Sequence, residues 1–117
     1  MIFLTQSVKT KIVRPPQDVK VIKGSTTVLQ CGVLHDPNVT VIWLWYLRNM
    51  RIDPFSDPRR QIREDGSLEV QAVRNQDIGT FQCNVYSTGG NDTAEADLIV
   101  VGLYSVFKFL CRILNCK

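Results

Sequence analysis

The sequence predicts an all-β protein, an antiparallel sandwich or barrel. Three observations predict it. Between residues 10 and 101 the chain is divided into short alternating runs, with turn signals roughly every 8–12 residues. No run in that span repeats apolar residues at helical spacing. The longest apolar run, VTVIWLWYL from Val39 to Leu47, is crowded with β-branched and aromatic residues, which suit a pleated, half-buried surface.

Each element follows in order. DVKVI puts Val19 and Val21 on one parity, and KGS at 23–25 ends the run. TTVLQCGV leads through Leu29 into Cys31 and Val33, and HDPN at 35–38 breaks the chain before the apolar run. DPFSDP at 53–58 is a loop with two prolines, and EDGS at 64–67 is a tight turn. LEVQAV then alternates Leu68, Val70 and Ala72. NQDIG at 75–79 is a corner, TFQCNVY alternates Phe81, Cys83 and Val85, STGGN at 87–91 is a hairpin loop, and TAEADLIVV closes the series. Seven to nine strands are expected.

Composition bounds the function. The 117 residues suit one domain, and 44% hydrophobic with 21% charged residues argues for a packed core over a disordered chain. A net charge of +3, from scattered lysines and arginines, lacks the dense basic stripe of a nucleic-acid binder. The four cysteines and the single His35 have no zinc-ligand spacing. His35 beside Asp36 reads as a turn, no nucleophile is aimed at it, and Gly89-Gly90 reads as a hairpin and not as a phosphate cradle. Glu64, Asp65 and Asp92 lack the convergent oxygens of a calcium site. The expectation is therefore no enzyme, no metal and no cofactor, with no nucleic acid and no small-molecule substrate.

Period-2 alternation sends Phe81, Cys83 and Val85 to the same face, and Cys31 lies in an earlier alternating strand beside Leu29 and Val33. A bridge between Cys31 and Cys83 would pin two facing sheets. With Trp45 between them, and with Leu68 and Asp77-x-Gly79-x-Phe81-x-Cys83 after it, the pattern resembles the immunoglobulin superfamily, most closely its I-set. The resemblance implies two antiparallel sheets with Greek-key connections over residues 13–101, after an N-terminal linker at 1–12. It implies a Cys31–Cys83 disulfide and Trp45, Leu68 and Phe81 as core anchors. It also implies a corner ion pair between Asp77 and Arg59, with Arg60 next in line. Trp43 shares the parity of Trp45 and is expected to face inward nearer the sandwich end. Phe81 stands where the family usually has Tyr, so the hydroxyl that ties the corner back is missing and a weaker corner is expected.

Three longer stretches narrow the resemblance: PPQDVKVIKGSTTVLQCGVLHDPNVTVIWLW, DPRRQIREDGSLEV and DIGTFQCNVYSTGGNDTAEADLIV. They are similar to the sidekick family of neural cell-adhesion molecules, at its last immunoglobulin domain. Contactin and L1-type molecules share the Cys-x-Val-x-His-Asp-Pro opening. The resemblance implies the extracellular part of a plasma-membrane protein. Its partners would be proteins, homophilic or related adhesion molecules engaged through the parent, and this domain would be a spacer. The alternative is an intracellular I-set spacer of a muscle or cytoskeletal protein, in which the cysteines would stay reduced.

Two N-glycosylation sequons, Asn38-Val39-Thr40 and Asn91-Asp92-Thr93, are expected in exposed loops. FSDPRRQIR either offers Arg59, Arg60 and Arg63 to an acidic partner or forms a solvated strand edge. The N-terminal MIFLTQSVKTKIV is too short and broken an apolar run for a signal peptide, and no stretch reaches the roughly 20 apolar residues of a membrane span. A fragment of a longer protein is expected. The apolar, basic GLYSVFKFLCRILNCK lacks a strand pattern and is set apart as an irregular tail, 102–117, with Cys111 and Cys116 five apart.

Overall fold

The structure is a computed structural model that describes residues 8–102 and 110–115. It is an immunoglobulin-like β-sandwich of ten strands among the described residues: β1 Lys11–Arg14, β2 Val19–Ile22, β3 Thr27–Leu29, β4 Gly32–Leu34, β5 Ile42–Leu47, β6 Met50–Arg51, β7 Arg60–Ile62, β8 Leu68–Val70, β9 Gly79–Ser87 and β10 Gly90–Val101. One sheet has the order β2-β10-β9-β5-β6, and the facing layer holds β3-β8-β7 with β1-β4 as its continuation. All pairings are antiparallel except β2 with β10.

Pro15 and Pro16 explain why β1 and β2 lie in different sheets. Proline has no N–H to give a ladder. The chain leaves β4 at that point and joins β10 on the other layer.

Between the layers lies one core in which Trp45, Leu68, Val70, Val73, Phe81, Cys83 and Val85 have no solvent exposure. Cys31 and Cys83 form the disulfide across it. Closing a chain loop of 52 residues is worth about 4 kcal/mol in the chain-entropy account.

The sandwich begins earlier than residue 13. Lys11 already pairs with Leu34, and Ile12 is buried. Thr10 is 1% exposed, its hydroxyl 2.5 Å from the Ser87 hydroxyl and its amide donating to the Gly89 carbonyl. A threonine satisfied by a hydroxyl 77 residues away and a carbonyl two residues beyond it carries no local signal of burial. The short helical stretch at 110–114 carries Cys111, and Cys116 lies outside the described residues.

The expected alternation of Leu68, Val70 and Ala72 holds for two residues and then slips. Ala72 has φ +48°, a left-handed backbone, and its side chain is exposed. Val73 takes the core position instead. Gln71 and Ala72 thus both face outward, and the left-handed turn at Ala72 brings Val73 inward. The slip is held from outside by Arg59, whose Nη1 donates to the carbonyls of Gln71 (3.0 Å) and Ala72 (3.1 Å). Because Ala72 is exposed, a larger side chain has room there, but a β-branched one is disfavoured at positive φ. Ala72→Val should therefore lower unfolding free energy by about 1 kcal/mol or more in urea titration. Unchanged stability of Ala72→Val would refute the left-handed slip.

Candidate functional site

Three constellations concentrate the polar chemistry: the Asp77 corner, the tryptophan–glycine stack at one end, and the outer face of the five-stranded sheet.

At the corner, a single 3-10 turn, Asn75–Asp77, carries Asp77 into the interior with no exposed surface. Arg59 grips its carboxylate with both nitrogens, Nη1 to Oδ2 at 3.0 Å and Nη2 to Oδ1 at 3.2 Å. Arg60 adds Nε to Oδ1 at 3.1 Å, and the Arg74 amide donates to Oδ2 at 2.8 Å. Burial alone would push the carboxyl up. The bonds from Arg59, the Arg74 amide and Arg60 outweigh it and hold the pKa below the ordinary carboxylate value. Both arginines thus serve the corner. With Asp57 beside them and side chains about 15% exposed, neither is offered to an acidic partner. Arg63 pairs at the surface with Glu69 at 3.0 Å.

Phe81 is fully buried, so the corner has no tyrosine hydroxyl. Arg48 holds the corner carbonyls from outside: Nη1 donates to Ile78 and Nη2 to Gln76 at 3.1 Å. Its side chain also lies over Gly79, where a Cβ would come within 2.9 Å of Arg48 Cγ. The sequence gives no sign of this, because Arg48 is thirty residues from its acceptor.

At the other constellation, Gly66 is wedged between two indoles. Trp45 Nε1 donates to the Gly66 carbonyl at 2.8 Å, and a Cβ on Gly66 would sit 2.1 Å from Trp43 Nε1. Trp43 packs half-buried against the core and donates to the Cys31 carbonyl at 3.0 Å. The EDGS turn is therefore fixed by tryptophan packing as well as by its own φ of +88°.

The two sequons differ. Asn38 lies in an exposed turn capped by Asp36, whose Oδ1 accepts from the Asn38 amide at 2.9 Å. His35 Nδ1 meets the Asp36 carbonyl in the same turn at 2.8 Å. Asn91, expected in a loop, is the second residue of β10, opposite Tyr86, because the hairpin loop is as short as Thr88-Gly89. Its side chain remains exposed. Asp92 between them turns inward and accepts from the Ile12 amide at 2.8 Å, tying β1 to β10. Among the described residues, no group of three or more acidic, histidine or cysteine side chains is placed to hold a metal, and no helix is long and apolar enough to cross a membrane.

The pinned disulfide, the buried tryptophan and the Asp–Arg corner together define an immunoglobulin-type sandwich. The chain belongs to the immunoglobulin I-set domain family, which it matches over residues 10–100. It is 42% identical to human protein sidekick-1 over 81% of its own length and 4% of sidekick-1. It is 36% identical to neural cell adhesion molecule L1.1 of Danio rerio over 79% of its length and 8% of that protein. The chain thus spans only 4–5% of the length of the sidekick relatives it matches. The N-terminal Ig1-2 module of the Drosophila receptor protein tyrosine phosphatase DLAR shares the fold, with a TM-score of 0.73 at 23% identity over 84% of this chain and 48% of that one.

Removing the carboxylate charge strands two arginines. Asp77→Asn should lower stability by about 3 kcal/mol at pH 7. A lowered folded pKa contributes stability above the unfolded value, about 4, that is lost as pH falls through the folded one. Melting curves of the two proteins should therefore converge below about pH 4, and a constant gap down to pH 2 would contradict this assignment. Gly66→Ala should cost about 3 kcal/mol or more, from the clash and the positive φ together, and should alter tryptophan emission. A variant with native melting and native emission would show that Trp43 does not lie over residue 66.

Proposed function

We propose that this chain is an extracellular I-set domain of a neural cell-adhesion protein, and that the domain itself acts as a rigid spacer while partners engage elsewhere on the parent. The observation that carries the spacer reading is the placement of the two ends. The chain enters at Thr10, bonded to the hairpin that starts β10, and leaves at Val101, where β10 ends. A 12-residue strand is about 40 Å long, so entry and exit lie at opposite ends of the sandwich, as head-to-tail linkage requires.

Similarity to sidekick-1 and to L1.1 supports the adhesion-protein context. The Cys31–Cys83 bridge supports an oxidising compartment and so the plasma-membrane exterior over a muscle or cytoskeletal interior. Among the described residues the polar clusters hold corners and turns. The partners of the parent are proteins, homophilic or related adhesion molecules.

Bead aggregation tests the spacer reading. Beads coated with the chain, expressed through a eukaryotic secretory pathway, should not cluster. Clustering that survives high salt would overturn the spacer role and place a homophilic face on this domain.

A further inference from the structure

The outer face of the five-stranded sheet carries an apolar patch next to a sequon. Three residues form a row across β10, β9 and β5: Asn91 opposite Tyr86, and Tyr86 opposite Ile42. Tyr86 is 38% exposed and Ile42 56%. The next row continues with Thr93, Asn84 and Leu44. Asn91 and Thr93 lie on the same outward parity of β10, and both are exposed. Between Asn91 and Tyr86 the surface dips into a shallow depression shared with Gln82, Asn84 and Thr93. Asp92 lines it too, and the Thr93 hydroxyl already donates to Asn84 Oδ1; amide groups beside the Tyr86 ring are a combination suited to a sugar, whose hydroxyls need hydrogen-bond partners and whose C–H face packs on aromatic carbon.

We propose that Asn91 carries an N-linked glycan whose first N-acetylglucosamine seats in this depression on Tyr86 and covers the Tyr86–Ile42 patch. Directly opposite side chains in an antiparallel pair are about 5 Å apart at Cβ, so a sugar attached at Asn91 reaches Tyr86 without rearrangement. Two strand spacings bring it to Ile42, about 10 Å away. Position in a strand does not prevent attachment, because Asn91 projects outward and the residue between the two sequon positions, Asp92, is the one turned in. The glycan removes Tyr86 and Ile42 from solvent on the outer face of the sheet. Asn38, in a turn, has no such ring on an adjacent strand. This inference rests on the extracellular reading.

The test expresses the full chain behind a heterologous secretion signal in mammalian cells. Peptide-N-glycosidase F in heavy-oxygen water, followed by peptide mass mapping, reads attachment at each sequon. The lysate is mapped with the medium, since attachment follows entry into the endoplasmic reticulum whether or not the chain is exported. We expect Asn91 converted to labelled Asp, and an Asn91→Gln chain lacking that glycan. Seating is read separately by proton NMR of the trimmed glycoprotein. The N-acetyl methyl signal of the Asn91 sugar should lie upfield of that of a free glycan, and Tyr86→Leu should return it to the free position with attachment unchanged. An unmodified Asn91 in a chain whose Cys31 and Cys83 are oxidised would overturn the proposal and leave the extracellular reading standing. Reduced thiols in the exported chain would count against that reading instead. Attachment with an N-acetyl signal insensitive to Tyr86→Leu would overturn the seat.

Discussion

A carboxylate without solvent, Asp77, is the constraint on which the rest of the sandwich depends. Taking a charge out of water costs several kcal/mol unless its hydrogen-bonding capacity is filled. Asp77 is filled by two guanidinium groups and a backbone amide, drawn from the start of β7 and from the corner. Those bonds fix Arg59, and Arg59 in turn fixes the left-handed Ala72 by holding two consecutive carbonyls. The position of Ala72 decides that Val73 enters the core. The corner after it then sets the parity with which Phe81, Cys83 and Val85 point inward. One desolvated charge therefore propagates into the register of β9 and the position of the disulfide.

The opposite end obeys a different rule, set by volume. Two indoles converge on one turn, and the residue between them has no room for a side chain. Trp45 closes its N–H on that turn, and Trp43 closes its own on the carbonyl of Cys31. Each buried aromatic polar group has a partner, as the cost of an unsatisfied one demands. The two ends restrain the same strands, so slippage of β5 or β8 would break a polar bond at one end and a packed contact at the other.

Period-2 alternation made much of this legible in the sequence. Leu68, Val70, Phe81, Cys83 and Val85 are all found on the expected face, because a strand reports its buried side through its own neighbours. The Asp77–Arg59 pair and the Trp45 anchor were readable through resemblance to the I-set. What was not legible shares one feature: the partner lies far away in the chain. Thr10 is buried by Ser87, Arg48 caps carbonyls at 76 and 78, and Asp92 captures the amide of Ile12. The slip at Ala72 was hidden for another reason. Alanine fits either face, so neither its size nor its polarity marks the position where φ turns positive.

The edges of the sandwich bear on how it sits in an array. The strands that end a sheet among the described residues are β1, β2, β3, β4, β6 and β7, and none is longer than four residues. β1 is interrupted by an irregularity between Ile12 and Arg14, β2 follows two prolines, and β7 follows Pro58. Short, irregular edges leave too few adjacent free amides and carbonyls to template another strand. Among the described residues lateral pairing through the backbone is therefore disfavoured, and contact along the sides falls to side chains on the sheet faces. One such face carries the cross-strand pair of exposed apolar side chains Tyr86 and Ile42 beside Asn91. With blunted edges, and with entry and exit 12 residues of strand apart, the surfaces this sandwich leaves for contact are its sheet faces and its two ends.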